Sequence, residues 1–168
     1  TAGIYTVSLA VTNAEGSDSE VKTDYITVTV PGSTTWYVDD DGGADFTTIQ
    51  AAVDAANAGD EIVVGDGSYS ENVNVNKQLV IRSENGASAV TVTAASTTLP
   101  VFDVNADGVT IEGFTVRGPT NEHVAGIEIV GFDSCLITGN DCALCYNGIH
   151  LGGDATGNTV EENSCHEN

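Results

Sequence analysis

The chain has 168 residues, of which 40% are hydrophobic and 6% aromatic, with 19 glycines and no methionine. Its 25 acidic and 4 basic residues give a formal net charge of −21 at pH 7, which excludes the basic footprint of a nucleic-acid or anionic-lipid binder. No apolar run reaches the ~20 residues of a membrane-spanning helix, and the glycine-rich, β-branched composition favours strands and tight turns.

Residues 1–31 have the pattern of short paired strands. Apolar residues alternate with polar ones over residues 5–11, which predicts a first strand with one apolar face. Turn-forming residues 13–16 separate it from a second strand at 17–21, and residues 25–30 form a third.

This segment carries several motifs: Gly3, Tyr5-Thr6-Val7, Val11-Thr12-Asn13, Gly16-Ser17-Asp18 and Tyr25-Ile26. On these motifs it resembles the C-terminal half of a PKD domain, an immunoglobulin-like sandwich common in extracellular proteins. The first half of that family, with its Trp-x-Phe-Gly-Asp-Gly stretch, is missing here. A piece of ~30 residues is too small to bury both sheets of a sandwich.

We therefore expect either that residues 1–31 are part of a longer polypeptide or that their strands pair with another subunit. Exposed strand edges recruit further strands, so the second case makes the protein a homo-oligomer or polymer. The candidate assembly residues are Tyr5, Val7, Leu9, Tyr25, Ile26 and Val28.

A linker at residues 32–35 leads to a second predicted unit, residues 36–168. This unit opens with a short strand at residues 36–38, an acidic turn at residues 39–45 and an amphipathic helix at residues 48–58. Short apolar strands broken by Gly and Asn follow the helix.

The predicted helix has its own start and stop signals. Thr47 and Gln50 have the spacing of a capping box with Thr47 as the N-cap, and Gly59 is the expected C-terminal stop. The apolar stripe that would face the core is Ile49, Ala52, Val53 and Ala56.

The motifs around this helix are Phe46-Thr47-Thr48-Ile49-Gln50-Ala51-Ala52-Val53, Gly59-Asp60, Ile62-Val63-Val64, Gly67-Ser68-Tyr69 and Glu71-Asn72-Val73. On them the second unit resembles the right-handed parallel β-helix proteins of the pectin-lyase-like group. The resemblance implies an all-β fold in which the helix plugs the N-terminal end of a solenoid. Together with residues 1–31, the predicted fold class is partial sandwich strands followed by a capped right-handed β-helix.

Residues 101–168 contain three segments that align with one another, beginning at Gly108, Ser134 and Gly157. Three sets of positions correspond between the segments: Ile111, Ile137 and Val160; Phe114, Asn140 and Asn163; and Val116, Cys142 and Cys165. Repeats of this length with β-branched residues are typical of solenoid coils. We predict that Asn140 and Asn163 stack as a ladder at a turn.

Cysteines occur at positions 135, 142, 145 and 165, all in the last repeats. The alignment makes Cys142 and Cys165 inward-facing neighbours on adjacent coils, about 4.8 Å apart along the ladder, which is within disulfide range. Buried thiols are the alternative. Cys135 and Cys145 are further disulfide candidates, with each other or with another chain.

Two metal sites were weighed on the same residues. Asp39, Asp41 and Asp45 are weak candidates for calcium, because carboxylates and glycines share that turn although the order of an EF-hand is absent. A zinc site from Cys142, Cys145, Cys165 and His166 is disfavoured, since strand alternation points Cys165 and His166 apart. No cofactor is otherwise expected.

Many β-helix relatives act on acidic polysaccharides, using Asp and Arg on one concave face or an Asp-held calcium with a basic residue. Arg82 and Arg117 lie too far apart in repeat register to share such a site, and a net charge of −21 repels a polyanion. His123, His150 and His166 are interpreted as surface residues. Catalytic residues are therefore not assigned.

The sequence indicates a non-enzymatic extracellular structural protein at the cell surface, similar to archaeal surface-layer and sheath proteins, that self-assembles into a layer, sheath or filament. The alternative is a carbohydrate-binding or polysaccharide-processing β-helix whose site lies outside these residues, with a glycan as partner. A spacer domain is the third hypothesis.

Overall fold

The computed structural model describes residues 3–28 and 32–168. The chain divides into two compact units, Thr1–Gly32 and Ser33–Asn168. They are treated separately below.

The first unit is a single long β-hairpin of β1 (Gly3–Asn13) and β2 (Gly16–Val28). The Asn13 side chain accepts the backbone N–H groups of Glu15 and Gly16, at 2.9 and 3.1 Å, and so closes the turn. Every described side chain over residues 4–26 is exposed. The hairpin therefore has no core of its own.

The prediction of separate strands at residues 17–21 and 25–30 is wrong, because β2 runs through both. Between Tyr5 and Val7 the pairing register shifts, and Asp24 adopts a positive φ of 56°. A bulge thus absorbs the polar residues that look like a break in the sequence, and pairing continues beyond it.

The second unit consists of one helix and fifteen short strands among the described residues. In chain order they are β3 (Thr35–Val38), α1 (Ile49–Ala55), β4 (Glu61–Val64), β5 (Gly67–Ser70), β6 (Val73–Val75), β7 (Val80–Ser83), β8 (Val90–Thr93), β9 (Phe102–Val104), β10 (Thr110–Glu112), β11 (Thr115–Arg117), β12 (Ala125–Val130), β13 (Leu136–Thr138), β14 (Asp141–Ala143), β15 (Asn147–Gly152), β16 (Thr159–Glu161) and β17 (Ser164–His166).

These strands form three parallel sheets that run along a solenoid. Sheet I has the order β16-β13-β10-β7-β4-β3, sheet II the order β17-β14-β11-β8-β5, and sheet III the order β15-β12-β9-β6. Every strand of a sheet thus comes from a different coil. The unit is an all-β parallel solenoid of about six coils with one short helix, as predicted.

Inward side chains stack by type along the solenoid axis. On sheet I the stack is Ile62, Ile81, Ile111, Ile137 and Val160, and on sheet II it is Tyr69, Val92, Val116, Cys142 and Cys165. The sequence alignments of these positions are confirmed from residue 111 onward. Phe102 and Phe114 add large rings to the core, with centroids 5.3 Å apart.

The helix packs against β3, β4 and β6 at the first coil and buries Ile49, Ala52 and Val53. The predicted N-cap Thr47 is wrong, since Thr48 accepts from the N–H of Ala51. The first free N–H groups, those of Ile49 and Gln50, instead donate to the carboxylate of Glu71 at 2.9 Å each. That capping group lies in the following coil.

The helix also ends at Ala55, before the predicted residue 58 and the expected stop at Gly59. Ala56 already has extended backbone angles, with φ −67° and ψ 154°. Lys77 replaces the missing last turn, because its ammonium group donates to the carbonyls of Val53 and Ala56 at 2.9 and 3.0 Å. In the part of the chain that the structure describes, no helix is long and apolar enough to cross a membrane.

Asp60 ties the first strand of the solenoid to the end of the helix. Its carboxylate, 3% exposed, accepts the N–H groups of Thr34 and Asn57 at 2.8 Å each and the indole N–H of Trp36 at 3.1 Å. These hydrogen bonds, led by the one from Thr34, hold the pKa of Asp60 below its ordinary value. The ionised form is therefore the one that stabilises the fold.

We expect Asp60→Asn to lower the urea midpoint of unfolding at neutral pH. Because the folded pKa is depressed, the contribution of the carboxylate is present above its unfolded pKa of 3.8 and is lost as pH falls through the folded value. The difference between wild type and variant should thus shrink below about pH 4. The exposed Asp154→Asn is the matched control, and a difference independent of pH would contradict the assignment.

Candidate functional site

Three kinds of surface bear on function: the corners between sheets, the outward faces of the strands, and the hairpin. Within the described residues, no buried side-chain nitrogen or oxygen lacks a hydrogen-bond partner. The interior of the solenoid is therefore saturated, and a ligand site has to lie on one of these surfaces.

The corners repeat one structural device. A residue in the left-handed conformation begins each turn, and the residue after it points into the corner. In the three successive coils the left-handed residues are Gly108, Gly113 and Gly118; Ser134, Gly139 and Leu144; and Gly157, Glu162 and Glu167. The corner residues that follow are Val109, Phe114 and Pro119; Cys135, Asn140 and Cys145; and Asn158, Asn163 and Asn168.

A corner asparagine completes the coil before its own. Asn163 accepts the N–H of Asn140 at 2.9 Å and donates to the carbonyl of Ile137 at 2.8 Å. Its side chain also accepts from the amide of Asn140 at 3.0 Å, which confirms the predicted ladder. Asn158 and Asn168 bind the N–H groups of Cys135 and Cys145 in the same way, at 2.7 and 3.0 Å.

Two of the four cysteines are corner residues in place of asparagine. The Cys135 sulfur lies 3.5 Å from the carbonyl oxygen of Ala106, and the Cys145 sulfur lies 3.0 Å from that of Gly118. They occupy different corners of one coil, with β13 and β14 between them. Their packing is that of weak thiol donors to backbone carbonyls.

Cys142 and Cys165 are instead register partners on β14 and β17, which confirms that they are neighbours on adjacent coils. All four cysteines of the sequence are free thiols in the structure, so the disulfides stay a prediction. Burial raises the pKa of Cys145 to about 11 and raises that of Cys142 further. Thiolate is therefore scarce at neutral pH, which argues against a catalytic cysteine.

The proposed metal ligands do not converge. The described residues contain no group of three or more His, Cys, Asp or Glu side chains placed to hold a metal ion. The zinc alternative fails locally as well, since His166 turns away from Cys165 and binds the Asp141 carboxylate at 2.9 Å. These side chains stabilise the outer face of sheet II.

The acidic turn is organised by its own carboxylates. Asp39 accepts the N–H of Asp41 at 3.0 Å, and Asp45 accepts that of Tyr37 at 3.0 Å. Two of the three calcium candidates thus bind backbone amides. A shallow cleft of about 430 Å³ lies beside the turn, lined by Tyr37, Val38, Asp39, Gly43, Ala44, Asp45, Val63, Gly65 and Glu84.

The outer face of sheet III carries a polar column that the sequence analysis missed: Asn74, Asp103, Glu128 and His150 on successive coils. His150 Nδ1 lies 2.9 Å from Glu128 Oε1. Asp103 and Glu128 are register partners, so two carboxylates stand side by side along the axis. The signal in the sequence was a spacing of 25 and 22 residues between polar positions, which only the register reveals.

The two arginines do not join that column. Arg82 lies on sheet I and binds Glu61 through Nε at 2.7 Å, whereas Arg117 lies on sheet II. Since an Arg and carboxylates on one face would be needed for pectin-type chemistry, the described residues do not assemble such a site. This agrees with the separation expected from the repeats.

The hairpin brings the assembly candidates together. Tyr5 pairs with Ile26 and Val7 with Lys22, so these residues share a face. The bulge brings Tyr25 to the same hollow as Val7 and Leu9, with the Lys22 ammonium group 5.2 Å from the Tyr25 ring. Leu9 and Tyr25 are each 63% exposed. Val28 pairs with Gly3, and its side chain lies outside the described residues.

Comparison with solved structures defines the class of the solenoid. A pectin methylesterase in complex with a hexasaccharide matches with a TM-score of 0.59 and 14% identity over 80% of this chain and 55% of that one. The carrot enzyme matches at 0.58 and 19%, over 82% and 54%. At this identity the likeness shows the fold alone, and the fold is the right-handed parallel β-helix.

A relative in sequence is a protein called cell surface glycoprotein from Methanothermus fervidus. The two are 37% identical over 97 residues, which is 56% of this chain and 15% of the relative. The chain thus spans about half the length of the matched enzymes and a small part of this relative. No protein-family profile matches the sequence.

Proposed function

We propose that the protein is a non-enzymatic structural component of the extracellular cell surface, and that it self-assembles into a layer, sheath or filament. The observation that carries the proposal is the hairpin: its apolar side chains are exposed over residues 4–26, although such a face is stable only when covered. The likeness to a protein called cell surface glycoprotein supports the location.

The covering partner is a hairpin or sheet from another subunit, joined through backbone edges and the apolar hollow. Both strands have one edge without a neighbour in the described residues, because their sheet has two members. A two-stranded ribbon with open edges recruits further strands. The PKD-like reading fits this arrangement, since the hairpin would then be part of a sandwich completed in the assembly.

The test is the mass distribution of the whole 168-residue chain by light scattering and analytical ultracentrifugation. We expect concentration-dependent oligomers, and we expect Val7→Thr with Leu9→Thr to raise the concentration of half-assembly by about tenfold or more, because apolar contact area is lost. Ser8→Thr with Ala10→Thr on the opposite face is the matched control. A monomer at all concentrations, or equal loss in both variants, would overturn the proposal.

A second candidate function, polysaccharide binding or processing, is favoured by the polar column on sheet III. Paired carboxylates are the groups that glycoside-cleaving enzymes use, and Asp103 and Glu128 are adjacent. A glycan array with a reducing-sugar assay tests it. Signals abolished by Glu128→Gln and Asp103→Asn would favour this function, and their absence would exclude the column.

A further inference from the structure

The four cysteines fall into two structural types, and only one type contains facing thiols. Cys135 and Cys145 fill corners and donate to carbonyls, as described above. Cys142 and Cys165 occupy the same position of consecutive strands on sheet II, in register and on the inward side. Partners in adjacent parallel strands have Cα atoms about 4.8 Å apart, inside the range of 4.4 to 6.8 Å that disulfides span.

The surroundings leave room for the Cys165 sulfur to reach its partner. A Cβ placed on Gly148 would stand 2.9 Å from that sulfur, so the glycine provides the space that it occupies. The two thiols also affect each other's ionisation: after burial, the charge of Cys165 raises the pKa of Cys142. Contact between the thiols is thus direct.

Accessibility differs between the two. Cys142 is fully buried, whereas Cys165 is exposed. An oxidant can therefore reach Cys165 first, and Cys142 lies beneath it as the resolving thiol.

We propose that Cys142 and Cys165 are an oxidisable pair, which closes into a disulfide that links two successive coils of the solenoid. The co-reactant is a small-molecule disulfide, such as oxidised glutathione. The Cys165 thiolate attacks one of its sulfurs, forms a mixed disulfide and expels one thiolate. The Cys142 thiolate then attacks the Cys165 sulfur and expels the second. Two cysteines lose two electrons, and the disulfide becomes two thiols that take up the two protons.

The bond changes how residues 157–168 are held. In the reduced protein the strands of this coil are exposed and are attached by backbone bonds such as Ser164 N–H to the Asn140 carbonyl, at 2.8 Å, and by corner asparagines. A cross-link between residues 142 and 165 closes a loop of 23 residues and restricts the opened state. Local opening of this coil becomes rarer.

The experiment treats the whole chain with oxidised glutathione at about pH 8.5, where thiolate becomes available. Alkylation then blocks the remaining thiols before digestion. Cleavage before Asp and after Glu places Cys135 in residues 133–140, Cys142 with Cys145 in residues 141–153, and Cys165 in residues 163–167. We expect mass spectrometry to show one cross-link, between the last two peptides.

Matched variants distinguish the partners. Cys145→Ser should keep the cross-link and Cys142→Ala should abolish it, while proteolysis of residues 157–168 in the oxidised wild type slows by about tenfold or more and is restored by dithiothreitol. A bond that persists in Cys142→Ala, a bond only between two chains, or unmodified thiols after full exposure to the oxidant would each overturn the proposal.

Discussion

Asn140→Ala is expected to destabilise the solenoid by about 4 kcal/mol, since it strands several buried polar groups at once. Asn140 is 1% exposed, and its side chain accepts the N–H of Phe114 at 3.0 Å and donates to the carbonyls of Ile111 and Thr138 at 3.0 Å each. The measurement is urea unfolding followed by the fluorescence of Trp36 and by far-ultraviolet circular dichroism.

The graded control for this substitution is Asn163→Ala, one coil later, which removes the same type of bond from a half-buried side chain. It should cost about 1 to 2 kcal/mol, because water replaces part of what is lost. Equal losses at both positions would contradict the view that burial sets the cost.

Phe114→Ala is expected to cost about 3 to 5 kcal/mol, through lost apolar burial and the cavity that remains. The ring is fully buried and packs on Phe102 with centroids 5.3 Å apart. Leu99→Ala, at a side chain 53% exposed, is the control and should stay within about 0.5 kcal/mol.

Differential scanning calorimetry and urea titration both measure the effect of Phe114→Ala. A loss below about 1 kcal/mol would mean that neighbouring coils collapse into the space. If the circular dichroism transition moves while the Trp36 signal does not, the coils unfold in stages, as expected of a solenoid whose units contact only their neighbours.

The register of the later coils could be predicted because strands stack without offset. When each coil lies directly on the one before, the period of the sequence is the period of the structure. Ile111, Ile137 and Val160 therefore align in both. The same reasoning placed Cys142 beside Cys165.

The outward column on sheet III escaped prediction for a physical reason. Its members have no apolar signature, and the loops between them differ in length, so spacing of 25 and 22 residues gives no single period. An inward column is forced to be apolar by the core, whereas an outward one is free to vary. Only the backbone register shows that Asp103, Glu128 and His150 are neighbours.

The errors at the helix and hairpin arose from groups distant in sequence. Glu71 caps the helix from the next coil, so the local signal at Thr47 was not the one the fold uses. Lys77 binds the carbonyls at its end and makes a shorter helix sufficient. In the hairpin, the polar residues before Tyr25 are a bulge, since the partner strand holds the pairing on both sides.

The corner asparagines point one way along the stack, and this makes the solenoid extensible in one direction. Asn158, Asn163 and Asn168 each complete the preceding coil and ask nothing new of its side chains. A duplicated copy of residues 157–168, joined by a suitable loop, would therefore bring its own fasteners. Adding a coil upstream would require rebuilding the corners above it, so lengthening by tandem duplication is easiest from the downstream side.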